Sequence, residues 1–462
     1  MNKDYSNKNF ISTLSQSWKN GKDLKEKNVE FYGSPFKLAV VENFFEKENL
    51  TTNLLHDILE VDWIKKQMDL YHFRQSDDIS KLNAQYLKEF LKLLEDEVKP
   101  WIETICDVKI NRVSASCSMY NNGDFLLVHD DLCSNRQIAY VFYISPFDKN
   151  VWTKDMGGAL EIFNVDSDGF PDFPAIRHIS PINNQFVFFK VGALSFHQVE
   201  EVKNLDYPRL TINGWFYGDV NKDLKSFVKP KITNYYKNPN TLDINLSEWI
   251  NSVYLERKTK TKIQSCIEMK SEISLEDFLI PNVFNDICKH LENPKLKWMK
   301  RGPASSSHYE VLDILTTDGL LQKFIEIFSS TEMFKLLFEY TALDFYGKNS
   351  KNPTCFFEFQ RLNKGSYTLL FDDSFSEDCK LNLFIYFNSI DNVGTVTYLS
   401  RDSDGSYEEI KSDSALLTVY PQDNSLNIIY CTDDQTHFTN YISKVNNNLT
   451  KPVHRLYCTY KE

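Results

Sequence analysis

The sequence predicts an α+β protein of two tandem jelly-roll domains with supporting helices, the second a degenerate copy of the first. Three observations lead there. Sequence segments recur in the same order at nearly constant offsets of 239, 242 and 240 residues. Within each copy a helical stretch comes first and short strands follow at the intervals of an antiparallel sandwich or barrel. Late in the first copy, a strand alternates polar and apolar side chains as the wall of a ligand cavity would.

The repeat is explicit in the residues. Val40-Val41-Glu42-Asn43-Phe44-Phe45, followed by a helical stretch toward Trp63, recurs as Leu279-Ile280-Pro281-Asn282-Val283-Phe284 ahead of Trp298. Residues 120–131, ending in His129-Asp130-Asp131, recur as 362–373, ending in Phe371-Asp372-Asp373, and each is followed by an apolar strand. Residues 181–189 resemble 421–429. One match would be chance; several in order mean two copies of one supersecondary plan. The expected division is 1–221 for the first domain, with its core at about 111–218, a connector at 222–272, and 273–462 for the second domain.

Helical spacing marks residues 50–59 and 84–97, and a further helix is expected at about 246–254, inside the connector. The basic run Arg257-Lys258-Thr259-Lys260-Thr261-Lys262 reads as a solvated face, with a nuclear signal as the functional alternative. Phe186-Val187-Phe188-Phe189 is a continuous apolar run and is predicted to be a strand buried on both faces. From Arg209 to Trp215 the pattern alternates, with Arg209, Thr211 and Asn213 on one side and Leu210 and Ile212 on the other.

The net charge of −12 argues against broad, non-specific contact with nucleic acid, which calls for a basic surface. Nine cysteines, at 106, 117, 133, 266, 288, 355, 379, 431 and 458, are odd in number, widely spaced and without a C-x-x-C pair. That is the usage of reduced thiols inside a cell rather than of a disulfide framework or a zinc site. The N-terminus lacks the apolar core of a signal peptide, and no stretch approaches the ~18 apolar residues of a membrane span. The expected location is cytoplasm, nucleus or both.

His129 and Asp131 stand two apart at the end of an apolar strand, where an extended chain would turn both to one side. An imidazole and a carboxylate so placed can share a metal about 2.1 Å from each ligand atom. His197, just beyond the apolar run, supplies a third ligand. Two histidines and one carboxylate leave coordination positions open, the arrangement of non-haem iron(II) oxygenases. Thiolates are absent, which disfavours structural zinc. The carboxylate fills the position a halogenase would need for halide, so hydroxylation is favoured. A keto-acid cosubstrate needs a cationic anchor, and Arg209, on the polar face of its strand, can hold a carboxylate with both prongs. Tyr143 and Tyr120 are placed to donate hydroxyl hydrogen bonds to the same ligand. Taken singly, His197 reads as a packed barrel residue, Arg209 as an ion-pair partner and each tyrosine as core. Together, in strands and at this spacing, they point to iron and 2-oxoglutarate. His56, His72, His178, His290 and His308 have no such company and keep structural readings.

These residues resemble the eukaryotic prolyl 3-hydroxylases that act on a small-subunit ribosomal protein, a family of paired double-stranded β-helix domains. The resemblance covers nearly the whole chain. It is sharpest at residues 70–78, at His129-Asp130-Asp131, at Met156-Gly157-Gly158-Ala159-Leu160, at Ser195-Phe196-His197-Gln198-Val199 and at Gly214-Trp215-Phe216-Tyr217-Gly218. It implies iron(II) held by His129, Asp131 and His197, and 2-oxoglutarate held by Arg209 and Tyr143, with Tyr120 lining that pocket. It further implies dioxygen as co-reactant, ascorbate as an aid in recovering iron, a ribosomal prolyl substrate, and an effect on translational accuracy or termination that brings termination factors within reach as partners. Asp77 and Asp78 recur in the family without a role that follows from chemistry; Ser76 reads as a helix cap.

In the second copy Phe371 replaces the first histidine while Asp373 survives, and His437 and Arg455 correspond to His197 and Arg209. Two ligands of three hold iron poorly, so this domain is expected to be non-catalytic, serving packing or substrate docking. Two competing functions share the sequence: an oxygen-responsive scaffold for a translation or transcription factor, and an oxygenase with a lysine or nucleic-acid target.

Overall fold

The computed structural model describes residues 1–46, 49–133, 135–144, 152–219, 236–242, 244–317, 319–346, 352–370, 380–400 and 415–462. The protein is mixed α and β with large antiparallel sheets, and it divides into two compact units. One comprises residues 1–229 with 303–305, the other 230–302 with 306–462.

In the first unit the helices α1 (Leu50–Glu60), α2 (Gln85–Leu93) and α3 (Lys99–Cys106) bury one stripe each. Leu54, Ile58, Leu87, Phe90, Ile102 and Ile105 make up that layer, at spacings that keep one helical face apolar. Asp57 on α1 accepts from the backbone N–H groups of Tyr86 and Leu87 at 2.7 and 3.1 Å, satisfying donors that the start of α2 leaves open.

The strands needed to place the site are β1 (Leu38–Val41), β2 (Tyr71–Asp78), β3 (Ser116–Tyr120), β4 (Phe125–His129), β5 (Arg136–Tyr143), β6 (Leu160–Val165), β7 (Pro171–Ile179), β8 (Phe186–Lys190), β9 (His197–Val199) and β10 (Arg209–Tyr217). Their neighbour order is β1–β8–β5–β10–β3–β2–β4–β9–β6–β7. Phe186 and Phe188 of β8 pack on the helical layer, whereas Val187 and Phe189 turn to the inner cluster with Tyr143 and Ile162. The apolar run is therefore buried on both faces. Along β10, Leu210 and Ile212 join the helical core, and Arg209, Thr211, Asn213 and Trp215 line a cavity.

In the second unit, β11 (Glu272–Leu275), β12 (Trp298–Arg301), β13 (Ser307–Leu312), β14 (Thr354–Leu362), β15 (Leu381–Phe387), β16 (Val396–Ser400), β17 (Ala415–Val419), β18 (Leu426–Tyr430), β19 (Gln435–Thr439) and β20 (Val453–Lys461) form two sheets. Their orders are β11–β18–β15–β20–β14–β13–β12 and β17–β16–β19. The run β11–β18–β15–β20–β14 reproduces β1–β8–β5–β10–β3 of the first unit, and β17–β16–β19 reproduces β7–β6–β9.

The structure differs from the expected 222–272 connector. Ile250 and the helix α4 (Arg257–Lys270), through Ile263 and Ile267, are buried in the second unit's core. Isoleucines four apart give even a very polar helix one stripe to bury. The expected helix near 246–254 is instead two 3₁₀ turns, Leu246–Glu248 and Ser252–Leu255, each capped by an asparagine side chain, Asn245 and Asn251. The basic run occupies the first turns of α4, where Lys260 pairs with Glu339.

Candidate active site

Antiparallel pairing sets His197 of β9 directly opposite His129 of β4. Their rings stand 4.2 Å apart between centroids. Asp131 arrives differently from the sequence expectation. β4 ends at His129, and Asp131 lies beyond it in the left-handed region at φ 61°. A turn, rather than strand alternation, brings its carboxylate back. Aspartate is among the few residues that tolerate this conformation. Ser195 Oγ donates to the Asp130 carbonyl at 2.6 Å and so ties the turn to the loop carrying His197.

The carboxylate oxygens of Asp131 lie 3.7 Å from His129 Nε2 and 3.6 Å from His197 Nε2. Among the described residues this is the one group of three or more His, Cys, Asp or Glu side chains gathered closely enough to hold an ion. Each imidazole has its Nδ1 against a backbone carbonyl, Leu127 for His129 and Ser195 for His197, both at 2.8 Å. Nδ1–H donation there leaves the Nε2 lone pair facing the centre. Burial and the neighbouring His129 push His197 down to about 4, although Asp131 and the Ser195 carbonyl oppose the shift. It is neutral at physiological pH, the form that ligates a metal. Burial raises Asp131, but His129, His197, Arg136 and a hydrogen bond from Trp215 outweigh it and hold the carboxyl below its usual value. The donor set, two imidazoles and one carboxylate, fits a divalent first-row metal with open positions.

Beside this centre lies a cavity of about 290 Å³ lined by His129, Asp131, His197, Tyr120 and Arg209. That is at the small end of ligand pockets, which run from about 300 to 1,000 Å³. Arg209 is buried, and its Nε donates to the Gly158 carbonyl at 2.8 Å. Its guanidinium lies 5.0 and 5.1 Å from the ring centres of Tyr120 and Tyr143, and Nη2 meets the Tyr143 hydroxyl at 3.5 Å. Gly158 has φ +70°, and a Cβ there would stand 3.0 Å from Arg209 Cδ. Gly158 therefore makes room for the arginine stem, whereas a Cβ on Gly157 would stand 2.1 Å from the Glu201 carbonyl. Tyr120 stacks on Phe73 at 4.8 Å and is paired across strands with Arg209.

Residues 115–217 match the family model of the 2OG-Fe(II) oxygenase superfamily, so fold and site define an oxygenase of that class, with iron(II) and 2-oxoglutarate as its implied cofactor and cosubstrate. Residues 242–461 match the model described as oxoglutarate and iron-dependent oxygenase degradation C-term. The chain is 40% identical to the prolyl 3-hydroxylase sudestada1 of Drosophila melanogaster, over 100% of this chain and 90% of that protein. It is 27% identical to the prolyl 3-hydroxylase OGFOD1 of Mus musculus, over 93% of this chain and 88% of that one. A solved prolyl-4-hydroxylase from Pseudomonas putida aligns with 45% of this chain and 98% of its own, at 15% identity and a TM-score of 0.35. The chain belongs to the prolyl 3-hydroxylase family and is a 2-oxoglutarate-dependent prolyl hydroxylase.

Two residues at the centre were not anticipated from sequence. Trp215 Nε1 donates to Asp131 Oδ2 at 3.2 Å, and Arg136 Nη1 donates to Asp131 Oδ1 at 3.4 Å while its guanidinium stacks 3.7 Å from the Trp215 ring. Trp215 was detectable, since it continues the 209, 211, 213 face. The histidines given structural readings have ordinary partners: His72 pairs with Asp124, His178 with Glu161, and His290 with the Asp286 carbonyl.

In the second unit Phe371 and Asp373 lie outside the described residues. His437 sits on β19 against the ring of Tyr398 at 4.9 Å. Arg455 donates to Gln360, Thr439, Tyr386 and the Gly394 carbonyl. The cavity beside them is only about 20 Å³.

Proposed function

We propose that His129, Asp131 and His197 hold the iron, that Arg209, Tyr143 and Tyr120 hold 2-oxoglutarate, and that the substrate is a proline of a small-subunit ribosomal protein. The observation that carries this is one juxtaposition: two imidazole Nε2 atoms and a carboxylate face one another beside a buried guanidinium. When bound, the iron couples decarboxylation of 2-oxoglutarate to succinate with transfer of one dioxygen atom into a prolyl C–H bond. The chain's own part is positional. Two backbone carbonyls orient the imidazoles, Trp215 and Arg136 fix both carboxylate oxygens, and Arg209 presents its fork to the distal carboxylate of the keto acid. Burial of Arg209 keeps water from competing for that fork.

The second unit is, on this proposal, a jelly-roll copy that has lost its chemistry. Its arginine spends its donors on protein acceptors, and its cavity is too small for a keto acid. It serves docking of the protein substrate. Ascorbate as a reductant that recovers iron, a nuclear or cytoplasmic location, and termination factors as partners complete the reading by family resemblance.

The test incubates the purified chain with iron(II), 2-oxoglutarate and prolyl peptides from small-subunit ribosomal proteins. Succinate and a peptide heavier by one oxygen atom are expected, both abolished by His129→Ala. Turnover that survives this substitution contradicts the metal assignment, and turnover on unrelated prolyl peptides alone contradicts the substrate.

A further inference from the structure

The second unit carries another cavity, of about 400 Å³. Glu292 and Leu296 come to it from the loop after the helix α5 (Pro281–Leu291), Trp298 from the start of β12, Arg361 from β14, Lys451 from the loop before β20 and His454 from the head of β20. Three of these are basic side chains, in a chain whose net charge is −12.

His454 is only 3% exposed, and neither of its ring nitrogens meets a hydrogen-bond partner among the described residues. Burial, then Arg361, pushes it down to about 4 against the opposing Glu292. Buried polar groups are nearly always bonded, and an exception calls for an unplaced partner. The imidazole packs against Trp298 at 5.3 Å, and Arg361 covers the same indole at 4.6 Å. Arg361 gives its Nε to Glu310 at 2.7 Å, and Asn363 donates to the same oxygen at 2.7 Å. Glu310 thus occupies one edge of the guanidinium and, among the described residues, leaves the other to a ligand. At the rim, Lys451 and Glu292 form a 2.7 Å pair, 69% and 51% exposed. An exposed pair of this kind opens at little cost.

We propose that this cavity binds a carboxylate-bearing peptide segment of a protein partner. The acid is received by the outer edge of Arg361 and by Lys451, which exchanges Glu292 for it, and the orphaned imidazole of His454 completes the shell. A free small anion would leave most of the volume empty. Leu296 and Pro452 offer apolar contact to flanking side chains, and Asn293 and Asn388 offer amides suited to a peptide backbone. The proposal does not depend on the iron site.

The probe is a displayed library of random heptapeptides, panned on the full chain and, in parallel, on the Arg361→Met/His454→Phe double variant. Peptides rich in Asp or Glu are expected from the first and absent from the second. Fluorescence anisotropy on the best peptide then reads a loss of at least tenfold in affinity on replacing its acid by the amide, and again in Lys451→Met, a surface change that leaves folding intact. His454→Phe is expected to keep or raise the thermal midpoint while weakening the peptide, which a purely structural histidine would not do. Selection without acidic enrichment, or enrichment that survives in the double variant, overturns the proposal.

Discussion

The indole N–H of Trp215 lies 3.2 Å from Oδ2 of Asp131, so the carboxylate between the two imidazoles is oriented by a side chain outside the candidate ligand set. Arg136 takes the other oxygen and stacks on the same indole, and the three side chains form one unit. The Asp131 backbone needs this support, because it occupies a left-handed conformation that side chains rarely adopt.

Trp215→Phe keeps the ring under Arg136 and removes the N–H. Partners that orient metal ligands are worth roughly 10–100-fold in affinity. Titration with cobalt(II) or iron(II) is expected to show a loss in that range, with the thermal midpoint nearly unchanged. Equal affinity in the two proteins would show that the hydrogen bond does not orient Asp131.

Arg209→Met removes the buried cation while leaving the stem's packing. Losing one partner of a buried, hydrogen-bonded charge pair costs about 2–5 kcal/mol. The KM for 2-oxoglutarate is expected to rise by roughly two orders of magnitude, with metal affinity unaffected. Arg209→Lys restores charge but not the Nε–H bond to Gly158, and is expected to rescue only in part.

Gly158→Ala tests why a glycine stands beside the Arg209 stem. At φ +70°, alanine incurs about 1–2 kcal/mol, and its methyl would press on Arg209 Cδ at 3.0 Å and Val202 Cγ2 at 3.1 Å. Lower stability with a raised KM for 2-oxoglutarate is the expected result. A variant with wild-type KM would mean that Arg209 has room to spare.

Much of this was legible in the sequence, and the failures have identifiable causes. The continuous run Phe186-Val187-Phe188-Phe189 read as a doubly buried strand because no solvated position interrupts it. The Arg209 strand declared a cavity wall by placing a cation among inward-facing residues. His129 and Asp131 are recognisable by type, yet strand alternation does not account for their convergence; nothing local announces a left-handed aspartate. Arg136 opens β5 with no pattern around it, and its role exists only because β5 and β10 are neighbours. The helix Arg257–Lys270 was hidden by its own polarity, with only Ile263 and Ile267 buried.

One part of the pH dependence of stability follows from His454. Its folded value of about 4 lies below the ordinary 6.5, so the unfolded chain takes up the proton first as pH falls. The stability that depends on this group is fully present above about pH 6.5 and is lost between there and pH 4. At about 1.4 kcal/mol per pH unit, that is on the order of 3 kcal/mol. Urea unfolding at pH 7.5 and pH 5 is expected to show a steeper decline for the wild type than for His454→Phe. Parallel declines would contradict it.

The most direct test of the central claim is metal analysis joined to turnover, on the wild type and on His129→Ala, Asp131→Ala, His197→Ala and His437→Ala. One iron per chain is expected, lost together with succinate formation in the first three variants and kept in the fourth. Iron and turnover retained in any of the first three, or lost in His437→Ala alone, would contradict it.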